Sequence, residues 1–150
     1  MINNKTKLII LMPSMGMGGA ERILINILSN INYSKFEIDL VVFEFKGELW
    51  DKIPEQVNKK HVMLPKILNK IGQVLYRKFG FNLILYYYSF MIYGQYDTGI
   101  SFLDSLYTSL LDGYSLKVNK KLTVIHSSYR SYENRSRFIK GNHLKRMKKR

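Results

Sequence analysis

The sequence predicts an α/β domain built on a doubly wound, mainly parallel sheet. Short apolar runs rich in β-branched and aromatic residues recur along the chain, and segments with apolar residues at helical spacing lie between them. A cluster of glycines separates the first such run from the first helical pattern. Strands alternating with helices bury a parallel sheet under helices on both faces. A chain of 150 residues is long enough for one such domain, and a hydrophobic content of 46% supports a packed core despite a net charge of +13.

The first strand is read over 7–13, "KLIILMP", a run too short for a signal-peptide core with its cleavage site. The helix that follows, "AERILINILSNI", places Ile23, Leu24, Ile27, Leu28 and Ile31 at the spacing of one face, with Asn32 or Ser34 ending it. The second strand, 36–45, alternates polar and apolar residues and suits a position near a sheet edge; a third is read at 60–65. "KILNKIGQVLYRKF" sets Ile67, Leu68, Ile71, Val74, Leu75 and Phe79 on one side, lysines and arginines elsewhere, and Gly80 as its stop. A further helix is expected in "LILYYYSFMIY", either buried or lying at a membrane interface. A fourth strand is read at 96–103, then a short helix in "DSLYTSLLDGYS" with Leu106, Leu110 and Leu111 inward and Gly113 at its end. The fifth strand, 120–127, and the first are nearly continuous apolar runs, as expected for parallel strands covered on both faces.

Composition narrows the function classes. There is no cysteine, so a disulfide framework, a thiolate metal site and a cysteine nucleophile are excluded, and a cytosolic compartment fits. No histidine or carboxylate spacing points to a metal, and His61 and His143 receive no role. The longest apolar run, 81–94, falls short of the ~20 residues a membrane span needs. The excess of 24 basic over 11 acidic residues favours a negative partner: lipid headgroups, nucleic acid or a phosphorylated substrate. Part of that excess sits in the last stretch, where Arg137, Lys140, Lys145, Arg146, Lys148, Lys149 and Arg150 form a basic helical tail over 132–150.

In an open α/β sheet ligands bind beyond the carboxyl ends of the strands. Three such ends carry candidate residues: Gly16, Gly18 and Gly19 after the first strand, Asp104 after the fourth and His126 after the fifth. Glycine permits positive φ and leaves main-chain N–H groups open to an anion at the positive end of the next helix, though the same turn can be a tight corner only. Glu21 stands where a dinucleotide fingerprint needs glycine or alanine, and no Lys-Ser/Thr pair marks a nucleoside-triphosphate loop. His126 can hydrogen-bond a sugar hydroxyl or a phosphate, or be a satisfied strand-end histidine. Asp104 can equally cap the helix that starts after it.

"KLIILMPSMGMGGAERILINILSNINYSKFEIDLVVFEFKGEL", "YDTGISFLDS" and "LTVIHSSYR" together resemble the N-terminal domain of bacterial family 4 glycosyltransferases, with a "GGAER"-type turn and a strand ending in a histidine. The resemblance implies the Rossmann-like N-terminal half of a GT-B fold, here 1–131. It implies retaining sugar transfer from a nucleotide-sugar to a glycan or lipid-linked acceptor in cell-surface polysaccharide synthesis, with neither metal nor cofactor. By it Gly16, Gly18, Gly19 and Asp104 would bind substrate, and His126 would contact the transferred sugar as the catalytic residue. The donor-binding C-terminal domain is expected to be absent and the tail at 132–150 truncated, leaving a chain inactive without a separate donor-domain partner. The protein is expected in the cytoplasm, peripheral on the inner, anionic face of the membrane.

Three other readings compete. The chain can be a non-catalytic, acceptor-binding and membrane-anchoring subunit that recruits a catalytic chain. It can be an oxidoreductase domain with Glu44 as the ribose contact, which Glu21 disfavours, or a nucleic-acid binder through its tail, for which no aromatic-basic module is visible.

Overall fold

The computed structural model describes residues 5–79, 82–103, 106–113 and 115–124. It is an α/β domain with five strands: β1 (Thr6–Ser14), β2 (Phe36–Phe45), β3 (Asn58–His61), β4 (Gly94–Ser101) and β5 (Leu116–Thr123). Helices α1 (Gly19–Asn30), α2 (Lys66–Phe79) and α3 (Leu83–Met91) and two 3-10 segments, Trp50–Lys52 and Leu106–Asp112, connect them. All strand pairs are parallel and the order is β3-β2-β1-β4-β5, consistent with a Rossmann-like, doubly wound architecture.

Alternation along β1 divides the core. Leu8, Ile10 and Met12 join Leu24 and Leu28 of α1 on one face, with Leu49, Ile53 and Val57 from the β2–β3 connection. Ile9 and Leu11 join Val41, Phe43, Tyr88 and Leu110 on the other. Phe43 centres that second cluster: Tyr107 stacks on it at 4.1 Å and Tyr88 meets it edge-on at 4.9 Å. The edge-on approach is a geometry the ring quadrupole favours.

The outer strands meet one expectation and correct another. β2 lies next to the edge strand β3, the position its alternation suits, yet all six residues from 38 to 43 are buried. Its polar alternation came from Asp39, which is satisfied inside rather than solvated. The carboxylate accepts hydrogen bonds from Tyr96 Oη (2.6 Å) and Asn58 Nδ2 (3.0 Å), and Lys60 Nζ lies at 3.4 Å. Among the described residues β5, expected to be covered on both faces, is instead the outer strand, and most of it is exposed. It starts four residues earlier than the apolar pattern indicates and adds Lys117 to Lys120 and Lys121, charges that suit an open edge. β3 at 58–61 and β4 at 94–101 are likewise earlier than the apolar runs read at 60–65 and 96–103.

The helical readings hold in extent and differ in burial. α2 spans the predicted 66–79, yet Ile67, Ile71, Val74 and Phe79 are exposed. In α1 only Leu24 and Leu28 are buried, while Ile23 and Ile27 face outward. α3 divides its surface: Tyr88 is buried, and Tyr86, Phe90 and Met91 are exposed. The short helix before β5 is a 3-10 segment with Leu110 and Leu111 inward, and Gly113 donates to the Leu110 carbonyl at its end.

Replacing Phe43 with alanine removes the ring that Tyr88 and Tyr107 pack on; a loss of about 3–5 kcal/mol in urea unfolding is expected. Burial, and then the hydrogen bond to Asp39, push the Tyr96 hydroxyl well above the ordinary tyrosine value of 10.0. Burial also raises Tyr107, with Tyr88 and Glu44 adding to it. These tyrosines keep their protons in the fold where the unfolded chain loses them. Their contribution to stability is therefore full below about pH 10 and falls as the pH rises beyond it. Ultraviolet titration at rising pH should show them ionising only as the protein unfolds.

Candidate functional site

The strand order reverses between β1 and β4, since the chain winds one way through β1, β2 and β3 and the other way through β4 and β5. A crevice opens at such a switch point, beyond the carboxyl ends of the two strands. The turn that leaves β1 there is Met15–Gly19. Met15 is fully buried and anchors it: its N–H donates to the Phe45 carbonyl (3.3 Å), and its carbonyl accepts from Leu49 N–H (2.9 Å). The loop after β2 is thus clipped to the turn after β1.

That clip depends on Gly47, a residue the sequence reading passed over. Its φ is +70°, and a Cβ there would strike the Met15 carbonyl. The Phe45–Gly47 stretch, short and closed by a glycine, was the signal that could have identified it.

Gly16, Gly18 and Gly19 behave differently: none of the three uses the positive φ that glycine permits, which among the described glycines belongs to Gly47 and Gly94. Gly18 is the extended N-cap of α1, with φ −69° and no side-chain cap, and its carbonyl accepts from Arg22 N–H (3.2 Å). A Cβ at Gly19 would meet nothing within 4 Å, and one at Gly16 would make only ordinary contact with the Phe45 ring at 3.6 Å. A Cβ at Gly18 would meet the Glu21 carboxylate, the movable end of a side chain. Neither backbone strain nor packing within the fold demands glycine at Gly16 or Gly19. What their glycines supply is uncovered main chain at a helix N-terminus, where N–H groups and the helix dipole attract an anion. The Glu21 carboxylate, in the first turn, already lies over Gly18 and takes some of that attraction.

The walls of the crevice follow from neighbouring strand ends. Phe102 N–H donates to the Leu11 carbonyl (3.0 Å), and Val124 N–H to the Ser101 carbonyl (2.9 Å), carrying the chain after β4 and β5 to the same edge as the glycine turn. Ser101, buried, bonds the Leu103 carbonyl and the Thr108 hydroxyl, both at 2.9 Å. Asp104 and His126 themselves lie outside the described residues, as does the tail at 132–150. Glu44 accepts a hydrogen bond from Tyr107 (3.3 Å), so its role here is to hold the segment before β5. His61 ends β3 against Trp50, its Nε2 buried without a hydrogen-bond partner among the described residues, while Lys46 and Lys59 lie over the Trp50 ring.

A second concavity, an open groove of about 650 Å³, lies at the opposite edge of the sheet among Lys5, Lys7, Gln95, Asp97, Thr98 and Lys120. Asp97 there accepts from the Lys7 main chain at 2.8 Å. The groove sits at the amino ends of the strands, away from the switch point. No group of three or more potential metal ligands occurs among the described residues. Comparisons of the chain with protein-family models, with curated proteins and with solved structures find no match.

Gly47→Ala should cost about 1–3 kcal/mol in urea unfolding, because the new methyl meets Met15 at a φ that only glycine adopts easily. Gly19→Ala should be neutral or stabilising by up to about 1 kcal/mol, since the site is open and alanine is the better helix former. A ligand that must approach the Gly19 main chain closely should then bind more weakly, through the added methyl, without loss of fold.

Proposed function

We propose that the protein is the acceptor-side half of a retaining GT-B glycosyltransferase of the family 4 type. It contributes to transfer of a sugar from a nucleotide-sugar to a glycan or lipid-linked acceptor in cell-surface polysaccharide synthesis. It works in the cytoplasm at the inner face of the membrane, together with a donor-binding chain or domain, and nucleic acid is not its partner. The observation that carries the reading is the glycine turn: exposed Gly19 and half-buried Gly16 stand at the switch point although the fold itself does not require glycine at either. The similarity of the "GGAER" turn and of "LTVIHSSYR" to that family adds the reaction class.

Within this reading the N–H groups of the turn donate to phosphate or sugar oxygens, and the α1 dipole favours negative charge there. A crevice closed by a second domain excludes water, so that each such hydrogen bond counts for more than it would in solution. His126, three residues past the end of β5 in the sequence, is the group proposed to contact the transferred sugar. Asp104 is proposed to bind substrate from the β4 side. Neither role calls for a metal.

A second reading draws on the surface around the turn. Met17 and Phe45 are both more than half exposed beside Gly16, apolar side chains placed where another protein surface would cover them. This favours a subunit that binds acceptor and membrane and recruits a separate catalytic chain.

Titrating ¹⁵N-labelled protein with pyrophosphate, nucleotide-sugars and soluble glycans should move the amide resonances of Gly16, Gly18 and Gly19. Resonances that stay fixed at saturating ligand would remove the turn from the site. With the chain joined to a donor-binding half, His126→Ala should lower kcat by at least about tenfold through lost orientation of the sugar. Unchanged transfer would take His126 off the catalytic list, and tight partner binding without any transfer would favour the second reading.

A further inference from the structure

We propose that α2 and the carboxyl end of α3 form an in-plane docking surface for an anionic lipid bilayer. The inference deepens the peripheral location proposed above and is independent of sugar transfer.

The apolar arc of α2 is wider than its support. Gly72 brings α2 close to α3, since a Cβ there would lie 2.9 Å from Ile84 and 3.8 Å from Leu83, and half-buried Leu68 and Leu75 share that side. Ile67, Ile71 and Val74 follow one another at i, i+4 and i+7, which makes a second stripe of the same helix. They are 72%, 47% and 52% exposed. Three consecutive apolar positions that α3 leaves uncovered are not the scattered surface residues of an ordinary helix. Phe79, at the end of α2, and Tyr93, just past α3, add exposed aromatic rings at 74% and 69%.

Charge selects the occupant. Lys66, Lys70 and Arg77 run along α2 at spacings that flank the exposed stripe, and Lys78 lies at its end. From residue 56 to residue 96 the sequence holds Lys59, Lys60, Lys66, Lys70, Arg77 and Lys78 and no aspartate or glutamate. Two copies of this face would set like charges against each other, which disfavours self-association. A bilayer with anionic headgroups meets both halves of the surface: the stripe enters the headgroup and acyl boundary, and the cations stay among the phosphates. Aromatic side chains such as Phe79 and Tyr93 suit that boundary. No described helix is long and apolar enough to cross a membrane, so α2 lies along the surface instead. Four residues separate β3 from α2, whose first turn follows the carboxyl end of β3, the same edge of the sheet that carries the glycine turn.

The test is vesicle co-sedimentation of the full chain. Wild type should bind phosphatidylcholine mixed with phosphatidylglycerol, and bind at least about tenfold more weakly to phosphatidylcholine alone or in high salt. The triple variant Ile67→Asn, Ile71→Asn, Val74→Asn keeps every charge and should lose about tenfold on the mixed vesicles. Because the chain has no cysteine, Ile71→Cys carries a polarity-sensitive fluorophore at one site. Its emission should shift to the blue on the mixed vesicles, a readout from a chain altered at a single exposed position. The proposal is overturned if wild type ignores the mixed vesicles, or if the fluorophore does not respond. It is also overturned if the triple variant binds as wild type does, which would assign binding to charge elsewhere such as the basic tail. A wild-type dimer in sedimentation that the variant abolishes would make a second copy the occupant. None of these readouts involves a sugar nucleotide, so either proposal can fail while the other stands.

Discussion

The burial of β1 on both faces is the constraint on which the rest of the domain depends. Leu8, Ile10 and Met12 serve one hydrophobic cluster and Ile9 and Leu11 the other, so a single strand of apolar residues holds two layers together. A strand in that position must be flanked by parallel neighbours and covered twice, which sends the chain across one face through α1 and across the other through α3. The same arrangement decides where main chain is left open. β1 ends at the reversal of strand order, and buried Met15 fixes the turn that follows before the glycines begin. Rigid apolar residues thus deliver the most permissive part of the backbone to one defined place.

Polar groups inside the domain are accommodated by pairing. Asp39 is buried at the β2–β3 side, yet three donors from β3 and β4 converge on it, so the cost of taking a carboxylate out of water is offset by these partners, the Tyr96 hydroxyl nearest. Tyr107 solves the opposite problem. Its ring lies in the core on Phe43 while its hydroxyl reaches Glu44 at the rim. One side chain thereby ties the 3-10 segment before β5 to the end of β2.

Much of this was legible in the sequence, and the exceptions have physical causes. The fold class, the limits of α2 and the turn after the first strand follow from periodicity and glycine placement, which are local properties. Burial is not local. Asp39 reads as solvent alternation until its partners Tyr96 and Asn58, distant in sequence, are placed beside it. The stripe Ile67, Ile71 and Val74 reads as core until the narrow support from α3 is known. β5 reads as a central strand because its apolar end, near Leu122, is more conspicuous than the lysines with which it begins. At the crevice, three clustered glycines drew attention, whereas Gly47, where a Cβ would strike main chain, stands alone in a loop. Comparing the two kinds of glycine takes the positions of atoms that a residue name does not contain: the Met15 carbonyl in one case and open solvent in the other.

The way α2 is mounted has a consequence for its amide protons. It rests chiefly on α3 and adds little to either buried cluster. A helix held this way opens as a unit without disturbing the five strands, so its amides exchange with solvent through a local opening whose free energy lies well below that of global unfolding. Whatever covers α2 would slow that exchange in the helix alone and leave β1 and β2 unchanged. The helix is thermodynamically a separate compartment of the same molecule, able to order on contact with a surface while the sheet that carries the glycine turn remains fixed.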